Sequence, residues 1–248
     1  NQMYSKGWEL GSGSDRTQWL DETNREEGLR ISSLWQRKHT KRLTLRAGVL
    51  AQGTGIDTRL VTRRGTPDFQ PVRDYDGSFW LLEAFAQVQY KVKKRYSVNL
   101  GVHTQHLPLS GKTTAEPRAA VKLKLPNDND LILAYGYHAQ TAAPAALFFV
   151  ATDGSTPNRR LDFLRSHQLV LAWAKKWDSG WRLRTEAYYQ GQTNVPVRRQ
   201  PDGFSLLNFG SSFALWDLSD LESRGKGRNY GLELSLTKVY HDGFYALI

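Results

Sequence analysis

The 248-residue sequence contains no cysteine. That excludes disulfide staples and thiolate metal sites, and it is compatible with export. There is no run of about eighteen apolar residues, so a transmembrane helix is excluded, and the mean hydropathy of −0.55 agrees. No signal peptide is visible: Asn1 to Leu10 has neither a basic start with an apolar run nor a small-residue cleavage site. The beginning of a precursor is therefore expected to be missing or processed. The chain does carry excess positive charge, +10 from 34 Lys and Arg against 24 Asp and Glu. Those residues are scattered without an interleaved aromatic stacking platform, which argues against a nucleic-acid partner.

What the chain has is alternation. Trp80, Leu82, Ala84, Ala86, Val88, Tyr90 and Val92 fall on one face of an extended strand, with Glu83, Gln87, Gln89 and Lys91 on the other. Successive strand residues point to opposite faces, so one face suits oil and the other water. At about 3.3 Å per residue and a tilt near 40°, Trp80 to Tyr90 covers roughly 25 Å, the height of an outer-membrane apolar band with aromatic ends at its interfaces. The pattern recurs in Leu43 to Ala51, Tyr96 to Val102, Leu131 to Ala139, Trp181 to Tyr189 and Tyr230 to Leu236. Soluble β-sandwiches also alternate, but their strands average about five or six residues and seldom carry Trp or Tyr at both ends of an apolar stripe.

About ten strands are predicted: 27–37, 42–52, 78–92, 95–106, 117–125, 131–140, 166–175, 181–191, 228–238 and one starting at Phe244. Short turns near His39 to Lys41, Lys93 to Arg95, Pro126 to Asp130, Lys176 to Gly180 and His241 to Gly243 alternate with long polar segments at Gly53 to Gly77, His106 to Glu116, Thr141 to Arg165 and Gly191 to Gly227. The first set is expected to be periplasmic turns and the second extracellular loops, with Asp57 to Thr62 continuing a strand above the membrane. The fold class is thus all-β, a partial antiparallel transmembrane β-barrel. Phe244 to Ile248 is too short to cross a bilayer, and an open edge in lipid leaves backbone groups unsatisfied, so residues 1–248 are expected to be a fragment of a larger barrel domain.

Motifs for chemistry are weak. Ser110-Gly111-Lys112-Thr113 resembles the end of a phosphate-binding loop, but His106 stands where that motif needs glycine and strand pattern follows where it needs a helix. His103 and His106 are three apart on a strand and face opposite ways, with no clustered carboxylates, so no metal site and no cofactor are expected. His103, His138 and His167 are candidate bases, yet no Ser or Asp stands in a nucleophile context, and the protein is not expected to be an enzyme. Ligand-contacting candidates are the lumen-facing groups near the outer strand ends, His103, Gln105, His138, Gln140, Tyr188 and Gln190, with Phe148, Phe149 and Trp216 as loop stacking surface. Loop arginines suit an anionic substrate or the phosphates of lipopolysaccharide, and they equally suit a solvated surface.

Five stretches carry a family resemblance: Glu116-Pro117-Arg118-Ala119-Ala120; Leu133-Ala134-Tyr135-Gly136-Tyr137-His138-Ala139-Gln140; Glu186-Ala187-Tyr188-Tyr189-Gln190 with Asn194-Val195-Pro196-Val197; Phe204 to Gly210; and Gly225 to Leu234. Their order and spacing resemble consecutive strands of TonB-dependent outer-membrane receptors of the type with a carboxypeptidase-regulatory-like N-terminal extension. The resemblance implies a barrel of about 22 strands filled by an N-terminal plug, in the outer membrane of a Gram-negative cell. It further implies import of a scarce nutrient, whether siderophore, cobalamin, glycan or peptide, driven by the TonB complex through the plug. Outer-membrane lipids, lipopolysaccharide and a substrate-binding surface lipoprotein are the other implied partners. Neither plug nor closing strand is recognised in these residues. A passive porin and a soluble binding β-domain are the alternatives; a plug in the full-length gene separates importer from porin, and detergent-dependent solubility separates both from the soluble domain.

Overall fold

The computed structural model describes residues 2–10, 17–63, 68–151, 153–208, 218–241 and 243–247. Twelve strands form one antiparallel sheet: β1 (Gln2–Leu10), β2 (Thr17–Lys38), β3 (Leu43–Thr62), β4 (Gln70–Lys93), β5 (Tyr96–Leu107), β6 (Lys112–Thr113), β7 (Glu116–Leu125), β8 (Asn129–Gln140), β9 (Leu164–Lys176), β10 (Trp181–Arg198), β11 (Leu221–His241) and β12 (Phe244–Leu247). Eleven of them lie side by side in chain order, and β6 pairs only with β5. This is the meander that short turns enforce. Among the described residues, β1 pairs only with β2 and β12 only with β11, leaving two open edges.

The tight turns have local causes. At the β7–β8 hairpin, Pro126, Asn127 and Asp128 join the paired Leu125 and Asn129, and Asn127 and Asp128 both have positive φ (57° and 56°), a left-handed conformation that Asn and Asp tolerate. At the β2–β3 turn, the Thr40 hydroxyl accepts hydrogen bonds from the backbone of Arg42 (3.1 Å) and Leu43 (3.0 Å).

Register confirms the predicted faces. Trp80, Leu82, Ala84, Ala86, Val88 and Tyr90 sit opposite Gly53, Ala51, Val49, Ala47, Leu45 and Leu43, and the same outward rows continue through Val98, Leu100, Val102, Val121, Leu133 and Leu171. Gly53 lies under the Trp80 ring, whose nearest atom is 3.1 Å from where a Cβ would be; a larger residue there would push the indole off the strand. The outward band is open to its surroundings, with Leu232 80%, Leu234 70% and Tyr230 67% exposed. Holding each such leucine in water costs about 2 kcal/mol relative to burial. A continuous band of them is stable only against hydrocarbon.

Two expectations are corrected. Two segments read as loops carry long strand extensions at both ends: in 53–77, β3 and β4 pair up to Thr62 and Gln70, and in 191–227, β10 and β11 pair up to Arg198 and Leu221. Residues 2–10 and 17–26, where no strand was predicted, supply β1 and the first part of β2. Above the apolar band both faces are polar, as in Asp21, Glu22, Thr23, Asn24, Arg25 and Glu26. Alternation then vanishes although ladder hydrogen bonding continues. The expected extension through Asp57 to Thr62 is present.

The core lies at the long-loop end, on the inner face. The 141–163 segment turns inward through a one-turn helix, α1 (Pro144–Leu147), and a 3₁₀ turn at Pro157–Arg160. It packs Leu147, Phe148, Leu161 and Phe163 against Tyr75, Phe79 and Leu107 of β4 and β5, and against Leu218 and Leu221. Phe148 meets Phe79 at 6.0 Å between ring centroids and presses on Gly77, where a Cβ has no room. The fully buried Asn158 ties two loops together, donating to the Leu218 carbonyl (2.7 Å) and accepting from the Leu221 amide (3.0 Å). Burial in this core pushes the Tyr75 hydroxyl up from its usual pKa, against the opposing pull of Arg73 and a hydrogen bond with Thr58.

Candidate functional site

The inner face of β2 to β9 encloses a hollow of about 980 Å³, whose polar lining includes Arg30, Glu83, Gln87, His103, Arg118 and His138. Its geometry comes from register. The Lys94-Arg95 turn sets Glu83 opposite Gln105, one diagonal from His103, and the β5–β7 pairing sets His103 opposite Glu116. His103 consequently stands between two carboxylates, its Nε2 3.0 Å from Glu83 and its Nδ1 3.1 Å from Glu116. The second contact is electrostatic, without the alignment of a hydrogen bond. Glu116, 1% exposed, also receives hydrogen bonds from the Gln105 amide (2.7 Å) and the Thr114 hydroxyl (2.9 Å), and it lies 3.1 Å from the Arg118 guanidinium. A buried carboxylate needs this set of partners, because an unpaired one would neutralise or destabilise the fold.

The predicted residues divide into groups. His103 and His138 both line the hollow. Gln105 is buried at 6% exposure, donating to Glu116 and to the Ala139 carbonyl (2.8 Å), so its amide is spent on the fold. Gln190 lies on the inner row Arg118, Gly136, Gln168, Gln190, one strand beyond the hollow's wall. Tyr188 also faces inward, its hydroxyl above Gly231. Gln140 is an exposed inward position at the top of β8. Phe148, expected to offer stacking surface, offers none: it is 2% exposed inside the loop core, and Phe149 is partly buried against that core. Trp216 lies outside the described residues. Sequence reasoning missed Glu83 and Glu116 as partners of His103, although counting pairs back from the Lys94-Arg95 turn places Glu83 beside it.

Among the described residues no group of three His, Asp or Glu has metal-binding geometry. Glu83, the more accessible of the two carboxylates, can accept a cationic or hydrogen-bond-donating group, while Arg30 and Arg118 offer donors to an anion.

An inward polar face, an outward apolar band with aromatic ends, and an unbroken antiparallel meander define one class of fold, the outer-membrane β-barrel. Solved structures narrow it. The siderophore receptor PirA from Pseudomonas aeruginosa matches 97% of this chain and 44% of its own at 12% identity, with a TM-score of 0.62. The ferric-catecholate import receptor Fiu from E. coli K12 matches 97% and 41% at 11% identity, with a TM-score of 0.64. The RagAB peptide importer matches 92% and 30% at 12% identity, with a TM-score of 0.58. The chain therefore has the fold of the barrel portion of a TonB-dependent outer-membrane receptor, and spans less than half the length of these proteins. No family model and no curated protein sequence matches it.

Proposed function

We propose that this chain is part of the barrel of an outer-membrane receptor that binds a scarce nutrient (siderophore, cobalamin, glycan or peptide) and imports it with TonB energy. The observation that carries the reading is the combination of a lipid-facing apolar band with a polar inner hollow beneath strands that rise well past that band. The solved proteins of this fold are named as receptors and importers of siderophores and a peptide, which supports a nutrient substrate. A plug engaging the TonB complex, and a surface lipoprotein presenting substrate, complete the proposed system. The test is an in-frame deletion of the full-length gene, grown with each nutrient class as the limiting source. Loss of uptake of one nutrient, reproduced by deleting TonB, supports active import. Uptake that survives TonB deletion and scales linearly with external concentration would replace the receptor with a passive porin.

A further inference from the structure

We propose that the hollow on the inner wall takes the C-terminal end of a peptide, with Arg118 holding the terminal carboxylate and Phe85 supporting an apolar side chain beside it. This inference rests on the receptor reading above and narrows its four nutrient classes to one. Register isolates Arg118. Its neighbours on the two flanking strands are Gly101 and Gly136, and the next residues out are Gln87 and Gln168. Strands lie about 4.8 Å apart, so a single guanidinium stands between two amides roughly 19 Å from each other. The His138 ring folds over Gly136, where a Cβ has no room, whereas Gly101 meets only backbone and the stem of Gln87. The hollow therefore deepens on the Gly101 side, toward β4 and Phe85.

Three independent features set the ligand's chemistry. Arg118 donates one N–H to Glu116 (3.1 Å), which Gln105 and Thr114 already serve, and among the described residues it has no other partner. The rest of its planar fork fits one carboxylate through two parallel N–H groups. Gln87, Gln89, Asn99 and Gln168 line the same hollow half-buried, and among the described residues none of these amides has a hydrogen-bond partner. Each offers both a donor and an acceptor, the pairing that the alternating N–H and C=O groups of a peptide backbone require. Phe85 lies over Gly48, 2.6 Å from where a Cβ would be, beside the inward Leu34 and Leu50. Leu34 is 67% exposed although it faces the polar interior, so this apolar shelf stands ready for an apolar side chain. Charge agrees, since Arg30 and Arg118 are offset by Glu83 and Glu116: the wall suits one added negative charge, not the several of an anionic metal chelate.

The test uses the full-length protein in detergent and two synthetic libraries of random hexapeptides, one with free C-terminal carboxylates and one amidated, with retained peptides counted by mass spectrometry. The wild type should retain acids over amides by about tenfold or more, the difference expected for one charge-assisted hydrogen bond. The retained acids should be enriched in Leu, Ile and Phe at their last two positions. Arg118→Gln should bring the acids down to the level of the amides, while Phe85→Ala should keep the acid preference and lose the apolar one. Equal retention of acids and amides by the wild type, a comparison that needs no variant, overturns the proposal. So does an acid preference that survives Arg118→Gln, or an apolar preference that survives Phe85→Ala, in variants whose heat-modifiable migration shows an intact barrel. A wild type that retains neither library, in a strain whose uptake of a different nutrient depends on this gene and on TonB, overturns the peptide assignment and leaves the receptor reading standing. Uptake that survives TonB deletion overturns the receptor reading instead.

Discussion

Val102→Arg separates a barrel wall from a soluble sheet more sharply than any other single change. Val102 faces outward near the middle of the Trp80 to Tyr90 stripe, opposite Ala86 and Pro117, and is 47% exposed. In lipid, an arginine at that depth should destabilise the barrel by about 2–4 kcal/mol, roughly 30- to 1,000-fold in the folding equilibrium. Asn99→Arg, three residues away, faces the polar interior beside Arg46, Gln87 and Gln89, and should stay within about 0.5 kcal/mol. Tyr90→Arg, at the end of the stripe, should fall between, at about 0–1 kcal/mol, because the charge reaches the interface. The assay is equilibrium unfolding of the full-length protein in lipid bilayers by guanidinium chloride, read from tryptophan emission. In a soluble sheet the exposed Val102 would accept arginine with little effect. A Val102→Arg variant no less stable than Asn99→Arg would therefore refute the assignment of faces on which the transmembrane reading depends.

Two further predictions concern the loop core. Phe148→Ala removes the ring packed on Phe79 and over Gly77; it should loosen that core by about 3–5 kcal/mol and expose residues 141–163 to external protease while heat-modifiable barrel migration persists. Continued protease resistance would show that the segment is held otherwise. Tyr75 has its pKa raised chiefly by burial, so its contribution to stability is complete below the ordinary tyrosine value, about pH 10, and is lost as pH rises through the raised value. Stability measured from pH 9 upward should accordingly decline more steeply in the wild type than in Tyr75→Phe; parallel curves would contradict this.

All ten predicted strands are present, and their faces are those read from alternation, because within the apolar band each strand meets hydrocarbon on one side and water on the other. That contrast is local, two residues in period, and written directly into Trp80 to Val92 or Trp181 to Tyr189. Where the contrast ends, legibility fades: Asp57 to Thr62 still reads as a continuing strand, but Asp21 to Glu26 holds strand geometry through its neighbours' hydrogen bonds rather than through any pattern of its own.

The candidate site was half visible. His103 and His138 stand out as inward histidines on spanning strands, and both line the hollow. Gln105 and Phe148 look equally available in sequence, yet Gln105 is enclosed by Glu116 and by the Ala139 carbonyl on a strand 34 residues away, and Phe148 lies in the very segment that folds inward onto Tyr75 and Phe79.

By itself the sequence determined the strands of the band, their inward and outward faces and the tight turns, all consequences of residue-by-residue contact with two solvents. Only the tertiary structure decided that Glu83, His103 and Glu116 converge and that the 141–163 segment folds inward. Those juxtapositions depend on cross-strand register and loop packing, which join residues far apart in the chain and leave no periodic trace in either one.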